Sequence, residues 1–138
     1  MKLILENWKN YIAEVKEFTC PIATQNLELN TINRDKAINA EHIQYGPMNL
    51  TDEEYWVNLA NHWDTTPEVA KESTCGNCAA FDISPRMIDC MPGSIEDNDG
   101  VLGYCWMHSF KCHSARTCRT WAAGGPIVTD ETSDSWDK

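Results

Sequence analysis

Seven cysteines are spread unevenly along this 138-residue sequence: Cys20 stands alone, whereas Cys75, Cys78, Cys90, Cys105, Cys112 and Cys118 crowd into positions 75 to 118. Thiolates are soft ligands suited to zinc and to iron-sulfur clusters, and paired thiols also serve as redox couples. Cys75-Gly-Asn-Cys78 is a C-x2-C turn, a spacing that brings two sulfurs to one centre with backbone N–H groups turned toward them. Gly76 supplies no Cβ to obstruct such a turn. Thioredoxin-type chemistry would need a βαβ context, which the flanking residues do not offer. Three ligand sets are compatible with the spacing. Cys75, Cys78, Cys90 and Cys105 leave gaps of 2, 11 and 14 residues; Cys75, Cys78, Cys105 and Cys118 leave Cys90 and Cys112 spare; and Cys75, Cys78, Cys105 and His108 imitate a zinc ribbon.

The first set carries a resemblance. "CGNCAAF" at residue 75, "CMPGS" at residue 90 and "GYCW" at residue 103 resemble, in order and spacing, the high-potential iron-sulfur proteins (HiPIPs), over residues 75–106. The resemblance implies a [4Fe-4S] cluster on Cys75, Cys78, Cys90 and Cys105, with Phe81, Tyr104 and Trp106 as an aromatic shell that keeps water away, and a one-electron transfer role. Relative to that family the chain adds a 74-residue N-terminal extension and "MHSFKCHSARTCRTW", and lacks an evident export signal. Over its whole length, through "MKLILENWK", "YGPMNL", "CGNC", "FKC" and "RTCRTWAAGGPI", it also resembles small proteins encoded by tailed phages of aquatic bacteria. That likeness implies a host cytoplasm or a virion as the setting, with a redox or virion protein as partner.

Zinc is the chemical rival, because it takes the same thiolates in the same tetrahedral arrangement, although only Cys75/Cys78 forms a tight knuckle. A module held only by disulfides is the third possibility. Cys112 and Cys118 read either as alternative ligands in place of Cys90 or as structural thiols paired with each other or with Cys90. His108 and His113 read as hydrogen-bonded supports or surface groups. Lys111, Arg116 and Arg119 read as an offset to thiolate charge or a docking patch for an acidic redox partner, and Trp121 as packing over the site. Asp82 and Asp89 read as turn residues. With no Ser/His/Asp set or phosphate-cradling loop, the expectation is a non-enzyme. Its leading role is single-electron transfer; the alternative is a phage structural or interaction protein with an architectural iron-sulfur or zinc site.

What must position the thiols is less regular. Residues 2–18 carry a helical stripe of Ile4, Trp8, Tyr11, Ile12, Val15 and Phe18. Residues 19–50 read as an extended arm with a short helix in "RDKAINAEHI", and Cys20 as a buried or bystander thiol. Thr51 and Glu54 predict a capping box opening a helix over 52–63 that buries Tyr55, Trp56, Leu59 and Trp63. Thr66 and Pro67 start a short helix that delivers the chain to Cys75. Beyond it, frequent Gly, Pro, Asn and Asp predict little sheet, and the acidic tail from 125 reads as disordered or ordered by a partner. The expected class is a small α plus irregular, metal-organised protein: a helical extension over 1–74, a HiPIP-like cysteine module over 75–124 and a tail over 125–138. A formal charge of −10, from 11 basic against 21 acidic residues, argues against nucleic acid. The absence of a signal-like start or a long apolar run argues for a cytoplasmic, membrane-free protein.

Overall fold

The computed structural model describes residues 18–93 and 95–137. The helix expected over 2–18 therefore lies outside the described residues, apart from Phe18. Among those described are six α-helices: α1 (Ile22–Gln25), α2 (Leu27–Asn39), α3 (Glu53–Trp63), α4 (Pro67–Glu72), α5 (Pro85–Cys90) and α6 (Asp130–Trp136). A 3-10 turn spans Cys75–Asn77. Three short strands, β1 (Phe81–Asp82), β2 (Leu102–Cys105) and β3 (Phe110–His113), form an antiparallel sheet in the order β1-β2-β3. The fold is thus a small mixed α/β arrangement, helical before the cysteine-rich region and with a hairpin inside it. Among the described residues no helix is long and apolar enough to cross a membrane.

Within the stretch 19–50, expected as an extended arm with a short helix in "RDKAINAEHI", the helix is longer and starts earlier: α2 begins at Leu27 and ends at Asn39. Asn26 caps it by accepting the Leu29 N–H, as a short polar side chain at an N-cap does. Periodicity could not announce this helix because amide side chains and small residues, rather than an apolar stripe, dock it. Asn30 accepts the Lys111 N–H at 2.7 Å, Asn33 donates to the Ser109 carbonyl at 2.6 Å, and Ala37 is buried. The expected helix over 52–63 is present as α3, but Asp52 rather than Thr51 caps it, accepting the Tyr55 N–H. It buries Trp56, Leu59 and Ala60, while Tyr55 and Trp63 stay half-buried with their polar ends on the Thr117 and Arg119 carbonyls. α4 starts on Thr66 and Pro67 as expected, with Thr66 accepting the Val69 N–H.

The acidic tail is ordered as α6, a correction to the disordered reading. Thr129 caps it, Asp130 and Glu131 occupy its first turn, and its buried Ser133 donates to Asp82. The hairpin was hidden for another reason: the turn between β2 and β3 uses Ser109 at φ 56°, not the Gly or Asn that usually mark such turns. Gly103 is needed where the strands pass, since a Cβ there would lie 2.6 Å from the Phe81 ring.

One core crosses the expected boundary at residue 74. Ala37, Ile43 and Tyr45 pack with Phe81, Phe110 and the cysteines at 75, 78, 105, 112 and 118. Polar ties reinforce it: the Tyr45 hydroxyl accepts the His113 N–H at 2.9 Å, and Gly46 and Thr117 exchange backbone hydrogen bonds. A second cluster holds Ala23, Met87, Cys90, Met91 and Tyr104. There Cys20 is disulfide-bonded to Cys90, which corrects the reading of Cys20 as a bystander.

Candidate metal centre

Five free thiols, Cys75, Cys78, Cys105, Cys112 and Cys118, line one cavity together with Phe81, Met107 and Trp121. Four segments deliver them. The 3-10 turn carries Cys75 and hands the chain to Cys78, and the Cys75 N–H is anchored on the Arg116 carbonyl at 2.6 Å. Cys105 ends β2 and Cys112 sits in β3, on the same face of the hairpin because Cys105 pairs with Phe110, two residues before Cys112. Cys118 follows β3, with Trp121 closing back through its N–H to the Cys118 carbonyl. Residues 122–125 seal the Cys78 side: Ala79 donates to Ala122, and Gly125 approaches the Cys78 carbonyl so closely that a Cβ would fall 1.7 Å from it.

Cys90, expected among the ligands, is not at this cavity. Its sulfur is bonded to Cys20 and it packs with Tyr104. Strand alternation gives the reason: Tyr104 and Cys105 are adjacent in β2 and point to opposite faces, so a residue packed on Tyr104 is on the wrong side of the sheet for Cys105. The same alternation removes Tyr104 and Trp106 from the expected aromatic shell. Their rings contact each other at 5.1 Å, and Trp106 donates its indole N–H to Asp82 at 2.9 Å. Phe81 and Trp121 do line the cavity, and Trp121 is held by donation to the Thr74 carbonyl and Asn77 Oδ1, both at 2.9 Å. Met107, which the sequence reading did not single out, also lines the cavity, and no local signal in the sequence marked it.

Neither histidine lines the cavity. His108 Nε2 meets Thr120 Oγ1 at 2.6 Å, and burial lowers its pKa. His113 Nδ1 accepts the Ala115 N–H, which places the ring proton on Nε2, facing Asp97 at 2.9 Å. Arg116 and Arg119 spend hydrogen bonds on the backbone carbonyls of Pro47, Met48 and Glu41, so they staple the N-terminal wrap to the cysteine region. Asp82 is no simple turn residue: fully buried, it accepts from Ser84 N–H, Trp106 Nε1 and Ser133 Oγ, whereas Asp89 is exposed.

Burial dominates the electrostatics of three of these thiols. Burial raises the Cys78 thiol, pushes Cys118 up to about 12 and lifts Cys112 well above the ordinary thiol value. Cys105 moves the other way, lowered first by its hydrogen bond with Cys112. Backbone N–H groups are aimed at three sulfurs: Ala80 and Ala122 at Cys78, Met107 and His108 at Cys105, and Thr120 at Cys118, whose sulfur also meets Thr120 Oγ1 at 3.1 Å. Such donors compensate charge on a ligating thiolate.

These residues fit a thiolate-ligated inorganic centre in donor type and in dry surroundings. Among the described residues, no three His, Cys, Asp or Glu side chains converge on a point that could hold a single ion. The room between the sulfurs is about 10 Å³, roughly one water molecule, so a larger guest must part the lining. Met107, 38% exposed, forms the solvent-facing part of that wall. The chain matches no family model, no curated protein and no solved structure.

Proposed function

We propose that the protein is a small [4Fe-4S] protein that moves single electrons in a HiPIP-like manner, with Cys75, Cys78, Cys105 and Cys118 as ligands. The observation that carries this reading is the gathering of free thiols in one cavity walled by Phe81, Met107 and Trp121, with backbone N–H groups aimed at Cys78, Cys105 and Cys118. When bound, such a cluster takes up or releases one electron at a potential set by hydrogen bonds to its sulfurs and by exposure. The chain's part is to supply thiolates, exclude water with Phe81 and Trp121, and hold the four delivering segments in register.

A second reading, an architectural metal site in a phage structural or interaction protein, is favoured by the core in which the N-terminal wrap and the thiols share contacts. One experiment separates them. Full chain produced with ample iron and protected from oxygen should be brown, contain iron and sulfide, and show a reversible one-electron wave. Colourless protein with stoichiometric zinc would overturn the iron-sulfur reading; a cluster that cannot cycle without unfolding would favour the architectural one.

A further inference from the structure

Away from the five free thiols, a cavity of about 280 Å³ is lined by one partner of the Cys20–Cys90 disulfide, Cys20, and not by the other. We propose that this disulfide is a thiol-exchange site, attacked at Cys20 by a small thiol that carries both a carboxylate and an ammonium group. Free cysteine is the simplest member of that class, and no metal at the other cavity is needed.

The two joined residues sit differently. Cys90 ends α5, keeps 2% of its surface and packs with Ala23, Met87, Met91 and Tyr104. Cys20 is half-buried and shares the cavity wall with Phe18, Arg86, Asp134 and Asp137. Exchange requires access to the sulfur under attack, so an incoming thiolate meets Cys20 and not Cys90. The volume lies at the low end of small-molecule sites, which run from roughly 300 Å³ upward, and this favours a compact reagent over a protein.

Charges of both signs surround the cavity. The Arg86 guanidinium is fixed 3.8 Å over the Phe18 ring and donates from Nε and Nη2 to Ser133 Oγ at 3.2 and 3.1 Å. Its Nη1 stands 3.8 Å from Asp134 Oδ1, beyond hydrogen-bond length, so a guest carboxylate can approach it more closely than Asp134 does. Asp134 and Asp137, on the same wall, suit an ammonium group. Together they match a zwitterion better than a thiol of single charge.

In the first step the reagent's thiolate sulfur bonds to Sγ of Cys20, the Cys20–Cys90 bond breaks, and Cys90 keeps the electron pair as a thiolate that takes a proton from water. A second reagent thiolate attacks the mixed disulfide, leaving Cys20 as a thiol and the reagent as its own disulfide, two electrons having passed to the protein. Burial disfavours the departing Cys90 thiolate, so thiols that the cavity does not hold should react slowly. The neighbourhood survives the cut, because Ala23 stays in the core and Gln25 donates to the Cys90 carbonyl.

The test exposes disulfide-bonded full chain, without oxygen, to free cysteine, to cysteamine, which has only the ammonium, and to mercaptoacetate, which has only the carboxylate. Reactions are quenched with acid, capped with N-ethylmaleimide and mapped by peptide mass, and each rate is divided by that on the chain in denaturant. Early samples should carry the mixed disulfide on Cys20 and the cap on Cys90, with the highest ratio for free cysteine. Arg86→Gln should lower the ratios of free cysteine and mercaptoacetate about threefold, the size of one partly exposed ion pair, and leave cysteamine unchanged. Asp137→Asn, at an exposed position, should lower those of free cysteine and cysteamine and spare mercaptoacetate; it decides the matter should Arg86→Gln fail to fold. A mixed disulfide on Cys90, equal ratios for the three thiols, variants that change no ratio, or a disulfide that reacts only in denaturant would each overturn the proposal.

Discussion

Ser133 of the C-terminal helix donates its hydroxyl to Oδ2 of Asp82, across 51 residues of sequence, and both side chains are fully buried. The same carboxyl accepts the Trp106 indole and the Ser84 N–H, so one side chain joins α6, β1 and the chain beyond β2. Asp82→Ala would leave these donors without an acceptor at a cost of about 3 kcal/mol, each buried unsatisfied group being expensive. Chemical denaturation should show that loss, with a smaller one for Asp82→Asn, which keeps one acceptor oxygen.

The separation of Cys90 from the thiol cavity has a direct test. Cys118→Ser should lose iron, as should Cys75→Ser, Cys78→Ser and Cys105→Ser, whereas Cys90→Ser should keep it. Because the Cys20–Cys90 bond spans a sequence separation of 70, its removal should lower stability by about 2–4 kcal/mol, through a less constrained unfolded chain. Iron analysis and denaturant midpoints read the two effects separately. Iron loss from Cys90→Ser would restore the ligand set implied by the HiPIP resemblance.

Alkali should weaken the metal-free protein. Burial raises Cys118 from 9.0 in an ordinary thiol to about 12 in the fold. A folded-state value above the unfolded one gives stabilisation that is complete below pH 9 and is lost as pH rises through about 12. Denaturant midpoints of metal-free chain should therefore fall across that window. Acid should have a different effect, on loading: each thiol must release its proton to ligate, so iron uptake should decline as pH falls.

Gly125→Ala should disturb the site without touching a thiol. Its Cβ would fall 1.7 Å from the Cys78 carbonyl oxygen, a backbone atom that cannot step aside, so the 122–125 segment must move and withdraw the Ala122 N–H from Cys78. Reduced iron retention and a lower melting temperature are expected. Gly93→Ala, where a Cβ meets nothing within 4 Å but φ of 83° strains the backbone, is the control for iron retention and not for melting temperature.

Asn30→Ala should cost about 1 kcal/mol, the net worth of a typical hydrogen bond, by removing the acceptor of the Lys111 N–H. Hydrogen exchange at the Lys111 amide should speed up if α2 anchors β3 as described.

The helices with conventional signals were legible. Thr66-Pro67 and the acidic start of α3 are local devices, readable wherever they occur. The second half of α2 was legible as the short helix expected in "RDKAINAEHI", but its first half was not, because Asn30 serves Lys111 of β3 and Asn33 serves Ser109 in the turn before it, far along the chain, rather than a local pattern. Nor was α6: its Thr129 cap is local, but burial of Ser133 depends on Asp82, so composition alone read as disorder. The thiol pair Cys75/Cys78 was evident from spacing, and the place of Cys105 from its Gly-Tyr-Cys context.

By itself the sequence determined that a thiol-rich region would follow two capped helices, since residue type and short-range spacing are properties of the chain. Only the tertiary structure decided which thiols meet. Alternation along β2 sends Tyr104, with Cys90 packed on it, to one face and Cys105 to the other, and the β2–β3 pairing puts Cys112 on the same face as Cys105. Contacts of that kind depend on register between distant segments, which no local spacing encodes.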